Sequence, residues 1–160
     1  MISVRGLRPA IWSGLLILML ALLYPRSTRV QTAGAWETTG TFEVPAVAAD
    51  GTAFSYTMRG HEGQFGFIDS PFVAGKTDKY MWHFWGNQED FLYKTLEVTG
   101  VNRRGQRVPV LTTTLGGEHN GAVAHTPSMM SLPTPGLWRL EVRVDGNHLG
   151  DIVVEVLPSA

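Results

Sequence analysis

Glu118, His119 and His125 lie in one glycine-rich stretch, and Met129 and Met130 follow close behind. Imidazole beside carboxylate is a donor set for zinc or copper(II), and imidazole beside thioether favours copper. The spacing matches no compact metal motif, and the two methionines serve equally well as core filler at the edge of a sheet. A second concentration of chemistry is the octapeptide Lys79–Gly86, Lys-Tyr-Met-Trp-His-Phe-Trp-Gly. Read as a strand, it puts Tyr80, Trp82 and Phe84 on one face and Met81, His83 and Trp85 on the other. His83 is then either a buried imidazole donating to a backbone carbonyl or a ligand contact on an aromatic shelf. Trp85, beside Gly86 at the strand end, is the candidate for an exposed contact of the kind enriched at binding hot spots.

Other chemistries find less support. The sequence has no Gly-x-Ser-x-Gly and no cysteine, so neither a nucleophile elbow nor a thiol nucleophile is available. Ala124-His125-Thr126-Pro127-Ser128 sets a histidine near a serine, but proximity in sequence does not make a triad. No Gly-x-x-x-x-Gly-Lys or Gly-x-Gly-x-x-Gly cradle for phosphates occurs. His61 and His148 fall at turns, where a solvated polar side chain is expected.

These residues need a scaffold, and composition suggests which. The chain has 160 residues, 44% hydrophobic and 17% charged, with eighteen glycines and nine prolines. That is enough apolar material for one core and enough turn formers for an all-β protein. The overall charge of −1 is uneven: residues 1–35 carry four arginines and no acid, which leaves a net of −5 from Trp36 onward. A domain so charged is unsuited to phosphate backbones, and nucleic acid is excluded as a partner.

Arg5 and Arg8 precede an apolar run from Ile11 to Leu23, the length of a signal-peptide core and short for a membrane span. Ala33-Gly34-Ala35 has the small-x-small form read by signal peptidase, which makes Trp36 the first mature residue. Pro25, Arg26 and Arg29 lengthen the cleavage region, so an uncleaved N-terminal hydrophobic helix anchored in the membrane is the competing expectation. Residues 1–35 are therefore read as signal peptide or anchor, and 36–160 as one domain.

Within that domain, short alternating runs are expected at Thr41–Val44 (ended by Pro45), Phe54–Arg59, Gln64–Ile68 and Lys79–Gly86. Thr95–Val101 and Arg107–Thr112 read as a hairpin. Leu115–Ser131 has no clear period and reads as a long loop. In the last hairpin, Trp138, Leu140, Val142 and Val144 alternate with charged residues, and Ile152, Val154 and Val156 line one face of the return. A three-residue loop, Gly146-Asn147-His148, would pair Val142 with Ile152, Leu140 with Val154 and Trp138 with Val156. The same register would set Arg143 opposite Asp151 and Arg139 opposite Glu155. The fold expected is an Ig-like antiparallel β-sandwich, with a small closed barrel as the other possibility.

Several segments together resemble a family of small proteins of unknown function at the surface of Gram-positive, Bacillus-type spore-formers. They are Gly63–Ile68, Pro71–Lys76, the Lys79–Gly86 octapeptide, Leu115-Gly116-Gly117, and the run from Ser131 to Trp138. The resemblance covers most of the chain after residue 40 and implies an Ig-like sandwich tethered outside the membrane, in many members as a lipoprotein. This sequence has no cysteine to carry a lipid, and the resemblance implies no activity. The expectation is a non-enzymatic, extracytoplasmic binding module for an unidentified extracellular or cell-envelope ligand, secreted or anchored by its N-terminal segment, with no obligatory cofactor. A copper-binding protein using the loop histidines is the first alternative, and a hydrolase at the long loop the second.

Overall fold

The computed structural model of the protein describes residues 36–160. The signal peptide or anchor expected at residues 1–35 lies outside the described residues. Among the described residues, no helix is long and apolar enough to cross a membrane. Among the described residues, ten strands build two five-stranded sheets, with one short 3₁₀ turn at Gln88–Asp90. They are β1 (Thr41–Val47), β2 (Ala53–His61), β3 (Phe65–Ile68), β4 (Phe72–Val73), β5 (Asp78–Phe84), β6 (Thr95–Asn102), β7 (Arg107–Thr114), β8 (Ala124–Met130), β9 (Gly136–Val144) and β10 (Asn147–Leu157). The first sheet runs β1-β2-β3-β5-β8 and the second β4-β10-β9-β6-β7. All pairings are antiparallel except β4 with β10.

The core lies between the sheets. Phe65, Phe67, Tyr80, Trp82 and Phe84 from the first sheet meet Leu96, Trp138, Leu140, Val142, Ile152 and Val154 from the second, all essentially sealed from solvent. Tyr80, Trp82 and Phe84 therefore form a wall of the core, as their alternation predicts. The side chains stagger as tilted and offset ring pairs, among them Phe67 against Trp82 at 5.0 Å and Phe72 stacked on Tyr80 at 4.3 Å. Such pairs add about 0.5–1.5 kcal/mol each beyond burial.

Three sequence expectations are corrected here. First, Pro45 does not end β1, which continues to Val47 with Pro45 opposite Ser55. β1 is the edge of its sheet, so the missing N–H of proline can face outward without breaking a ladder. Second, the expected Leu115–Ser131 loop contains a seven-residue strand, β8, paired along its length with β5 from Asp78↔Met130 to Phe84↔Ala124. Its inward positions are Ala124, Thr126, Ser128 and Met130, all buried; two polar side chains among four conceal the apolar period.

Third, the terminal hairpin turns at Asp145-Gly146, not at Gly146–His148. Both residues have positive φ (48° and 78°), as a two-residue type I′ turn requires. A bulge between His148 and Gly150 then restores the faces, so that Leu140 pairs with Ile152 and Trp138 with Val154. Val142 sits opposite Gly150 and Arg143 opposite His148. The expected core face is kept, but every partner is displaced. The charges did not discriminate, because Arg139 reaches Glu141 on its own strand at 3.1 Å as well as Asp151 at 3.6 Å. In the β6–β7 hairpin, likewise, a bulge after Val98 sets Val98 opposite Leu111.

Candidate functional site

The outer face of the first sheet, turned away from the core, is where the chemistry-bearing residues gather. β5 presents Met81 and His83 there, with Trp85 just beyond its end, and β8 presents His125, Pro127 and Met129. His83 and His125 are cross-strand partners. On the other side of β5, His83 pairs with Gly66 and Gly66 with Gly60. A Cβ at Gly66 would stand 2.7 Å from the Arg59 carbonyl oxygen and 3.4 Å from the Phe42 ring. The two glycines thus let β2 and β3 approach closely and let Phe42 settle over the sheet.

The segment between β7 and β8 brings in the third imidazole. Asn120 and Gly121 have positive φ (47° and 76°) and form a tight two-residue turn, closed by reciprocal backbone bonds between His119 and Ala122 of 3.1 and 2.9 Å. Val123 N–H donates to Phe84 O at 2.9 Å, and Gly116 N–H donates to His125 O at 2.7 Å. These bonds fasten the turn to the end of β5 and to β8. The His119 ring lies 5.6 Å from that of His83 and 4.6 Å from that of His125.

The result is a continuous row of five rings across the sheet: Phe42, Trp85, His83, His119 and His125. Successive centroids are 6.0, 5.9, 5.6 and 4.6 Å apart. Exposure varies along the row. His83 is sealed, with 1% of its surface exposed, whereas Trp85 and His125 are half-buried and His119 is open to solvent. A concavity of about 240 Å³ lies against Trp85 and Phe42, with Glu43, Pro45 and Glu62 also in its lining. A second, about 530 Å³, opens at Glu118–Val123 beside His119.

The protonation states follow from surroundings. Burial, with the imidazoles of His119 and His125 adding to it, pushes His83 down to about 4, so it is neutral at pH 7. Neither of its ring nitrogens has a hydrogen-bond partner. The expected backbone carbonyl is represented by that of Met81, which lies close enough to the ring to oppose the effect of burial without closing a hydrogen bond of regular geometry. His125 Nδ1 lies 2.7 Å from Gly117 O; a carbonyl can only accept, so Nδ1 carries the proton and Nε2 keeps a lone pair.

Of the metal-ligand candidates, His119 and His125 come together and are joined by His83. Glu118 turns away, and its carboxylate accepts from Gln88 Nε2 at 3.5 Å. Met129 and Met130 pair with Lys79 and Asp78 at the far end of β8, Met130 in the core and Met129 exposed. The histidine–methionine grouping is thus not assembled. As placed, no three His, Asp or Glu side chains among the described residues converge on a point that could hold a metal ion. The serine–histidine pairing fails for a simpler reason: Ser128 faces the core, donating to Tyr80 O at 2.9 Å, while His125 is on the opposite face of the same strand. His61 and His148 bond to the Asp151 carbonyl and carboxylate respectively, across the β9–β10 turn region. Phe42 and the contact of His119 with His83 are the elements that spacing did not reveal, since they depend on how the β1 edge and the 119–122 turn fold over the sheet.

The family model for a domain of unknown function, DUF4871, matches residues 27–154. No curated protein matches the chain. Among solved structures, the chain is similar to the X-ray crystal structure of a putative lipoprotein from Bacillus anthracis, with a TM-score of 0.57 and 22% identity over 76% of this chain and 86% of that one. At that identity the likeness is one of fold.

Proposed function

The chain belongs to the DUF4871 family, and on that premise we propose that it is an exported, non-enzymatic Ig-like binding module, secreted or held at the cell surface, whose ligand seat is the outer face of the first sheet. One observation carries this reading. A row of five rings crosses a sheet face that the second sheet does not cover, and near its Phe42 end half-exposed Trp85 borders a concavity. Rigid aromatic surface on a strand platform contributes contact area at little entropic cost, and aromatic side chains of this kind are enriched at binding hot spots.

Export is supported by the arginine-flanked apolar run at Ile11–Leu23 and by the lipoprotein description of the Bacillus anthracis protein. This sequence has no cysteine to accept a lipid, so the tether in this reading is the N-terminal segment, if it is retained. Against an enzyme stands the separation of the one serine–histidine candidate onto opposite faces of β8.

The test is a comparative pull-down from a Gram-positive cell-envelope fraction with the full chain and with Trp85→Ala. Far-ultraviolet circular dichroism and urea unfolding check the fold. A component retained by the wild type and lost from Trp85→Ala is the expected outcome. Equal recovery by both proteins would reject the assigned face.

A further inference from the structure

The three imidazoles on this face have a property that an aromatic shelf does not need. His83 is 99% buried, yet neither ring nitrogen closes a hydrogen bond of regular geometry, the nearby Met81 carbonyl included. Leaving such a group unpaired costs about 1–3 kcal/mol, and native interiors seldom tolerate it without a reason. Nearby, His125 donates through Nδ1 to the Gly117 carbonyl and keeps the Nε2 lone pair free. That is the arrangement that fixes tautomer and orientation in metal-ligating histidines. His119, solvent-exposed on a two-residue turn, lies in ring contact with both.

We propose that His83, His119 and His125 form a three-imidazole site for a divalent transition metal of the nitrogen-preferring class, zinc(II) or copper(II). Two imidazoles bound to one such ion through bonds of about 2.0–2.1 Å stand roughly 5 Å apart between ring centres. The observed separations, 5.6 and 4.6 Å, bracket that distance. His119 is tilted against His83 and stacked on His125, with interplanar angles of 32° and 28°, so the rings as placed do not converge. Binding requires the rings to turn about their side-chain bonds, and His119, exposed to solvent, is the ring with room to do so. Its turn is held by two reciprocal backbone bonds and flanked by Gly116, Gly117 and Gly121.

Three protein ligands leave a fourth position for water or a ligand group, as in open zinc sites. The concavity at Glu118–Val123 opens to solvent beside His119. The absence of thioether and thiolate from the cluster favours zinc(II) or copper(II) over copper(I). This site is distinct from the Trp85 contact, and either can fail without the other.

The experiment is calorimetric titration of the full chain with zinc(II) and, separately, copper(II) at pH 7.5, compared with His119→Ala, His125→Ala and the control His148→Ala. The proposal expects one saturable equivalent in wild type and control, with affinity lowered about tenfold or more in each of the other two variants. Absence of saturable binding to the wild type, or a loss smaller than that in either His119→Ala or His125→Ala, would overturn it. Because His83 is buried and its replacement can compromise folding, its part is read on the wild type. Nitrogen hyperfine structure in the copper(II) electron paramagnetic resonance spectrum should count three imidazoles, and two or fewer would remove His83 from the site.

Discussion

Acidification of the metal-free protein should expose the cost of keeping His83 neutral. Its ordinary value of 6.5 is depressed to about 4 by burial, opposed in part by the Met81 backbone and reinforced by the neighbouring imidazoles. Below pH 6.5 the unfolded chain takes up a proton at this residue, and the folded chain declines it until about pH 4. The unfolded state therefore binds more protons throughout that window, and stability must fall as the pH drops through it. The difference between 6.5 and about 4 amounts to about 3 kcal/mol, a large share of the roughly 5–15 kcal/mol typical of a domain. Below about pH 4 the loss is complete and this residue adds no further slope. His119 and His125 face the same ring, and carboxylates titrate at the lower end of the window, so the effect is read as a difference. Urea unfolding in EDTA at pH 7, 6, 5 and 4 would be compared for wild type and His83→Gln, which cannot take the proton. Wild type should lose about 3 kcal/mol more than the variant between pH 7 and 4. Parallel curves would refute the burial argument, as would an imidazole titration midpoint near 6.5 for His83 by NMR, which needs no variant.

Further outcomes test the packing that positions the site. Gly100→Ala should destabilise by about 1–3 kcal/mol in urea unfolding, because the new Cβ would lie 2.9 Å from Leu132 and 3.2 Å from Trp138 in the core. Ser128→Ala should cost about 1 kcal/mol through its lost bond to Tyr80 O while leaving envelope binding unchanged; loss of function with an intact fold would reopen a chemical role for Ser128. Gly146→Ala should cost about 1 kcal/mol, since Gly146 sits at φ 78° in the terminal turn. A neutral result would argue against the two-residue turn and for the longer loop.

What could be read from the sequence was face, and what could not was register and packing across the outer surface. Tyr80, Trp82 and Phe84 alternate with Met81, His83 and Trp85, and that period of two placed each side chain on the correct side of β5. The same was true of Trp138, Leu140, Val142 and Val144. Partners are a different matter, because a bulge changes them without changing faces. The bulge at His148–Gly150 preserved the core face of β10 while moving every cross-strand neighbour. β8 escaped notice because Thr126 and Ser128 take core positions, where only a bond such as that from Ser128 to Tyr80 makes a hydroxyl acceptable. The ring row needed three separate tertiary events: Phe42 closing over Gly66, the Asn120-Gly121 turn carrying His119 inward, and the pairing of His83 with His125. Only the Asn120-Gly121 turn has a local signature, and it does not tell what the turn lies against, although His83, Trp85, His119 and His125 each stood out by type.

The most direct test of the central claim is to ask which tryptophan a bound ligand touches. The chain has five tryptophans, of which Trp82 and Trp138 are sealed in the core, while Trp85 is half-buried on the outer face and Trp36 lies 5.2 Å from Arg139. Fluorine NMR of 5-fluorotryptophan-labelled full chain, with the Trp85 signal assigned through Trp85→Phe, would be recorded with and without a soluble Gram-positive cell-envelope extract. The account predicts that the Trp85 resonance shifts or broadens while those of Trp82 and Trp138 stay in place. A Trp85 signal unmoved by the extract would contradict it.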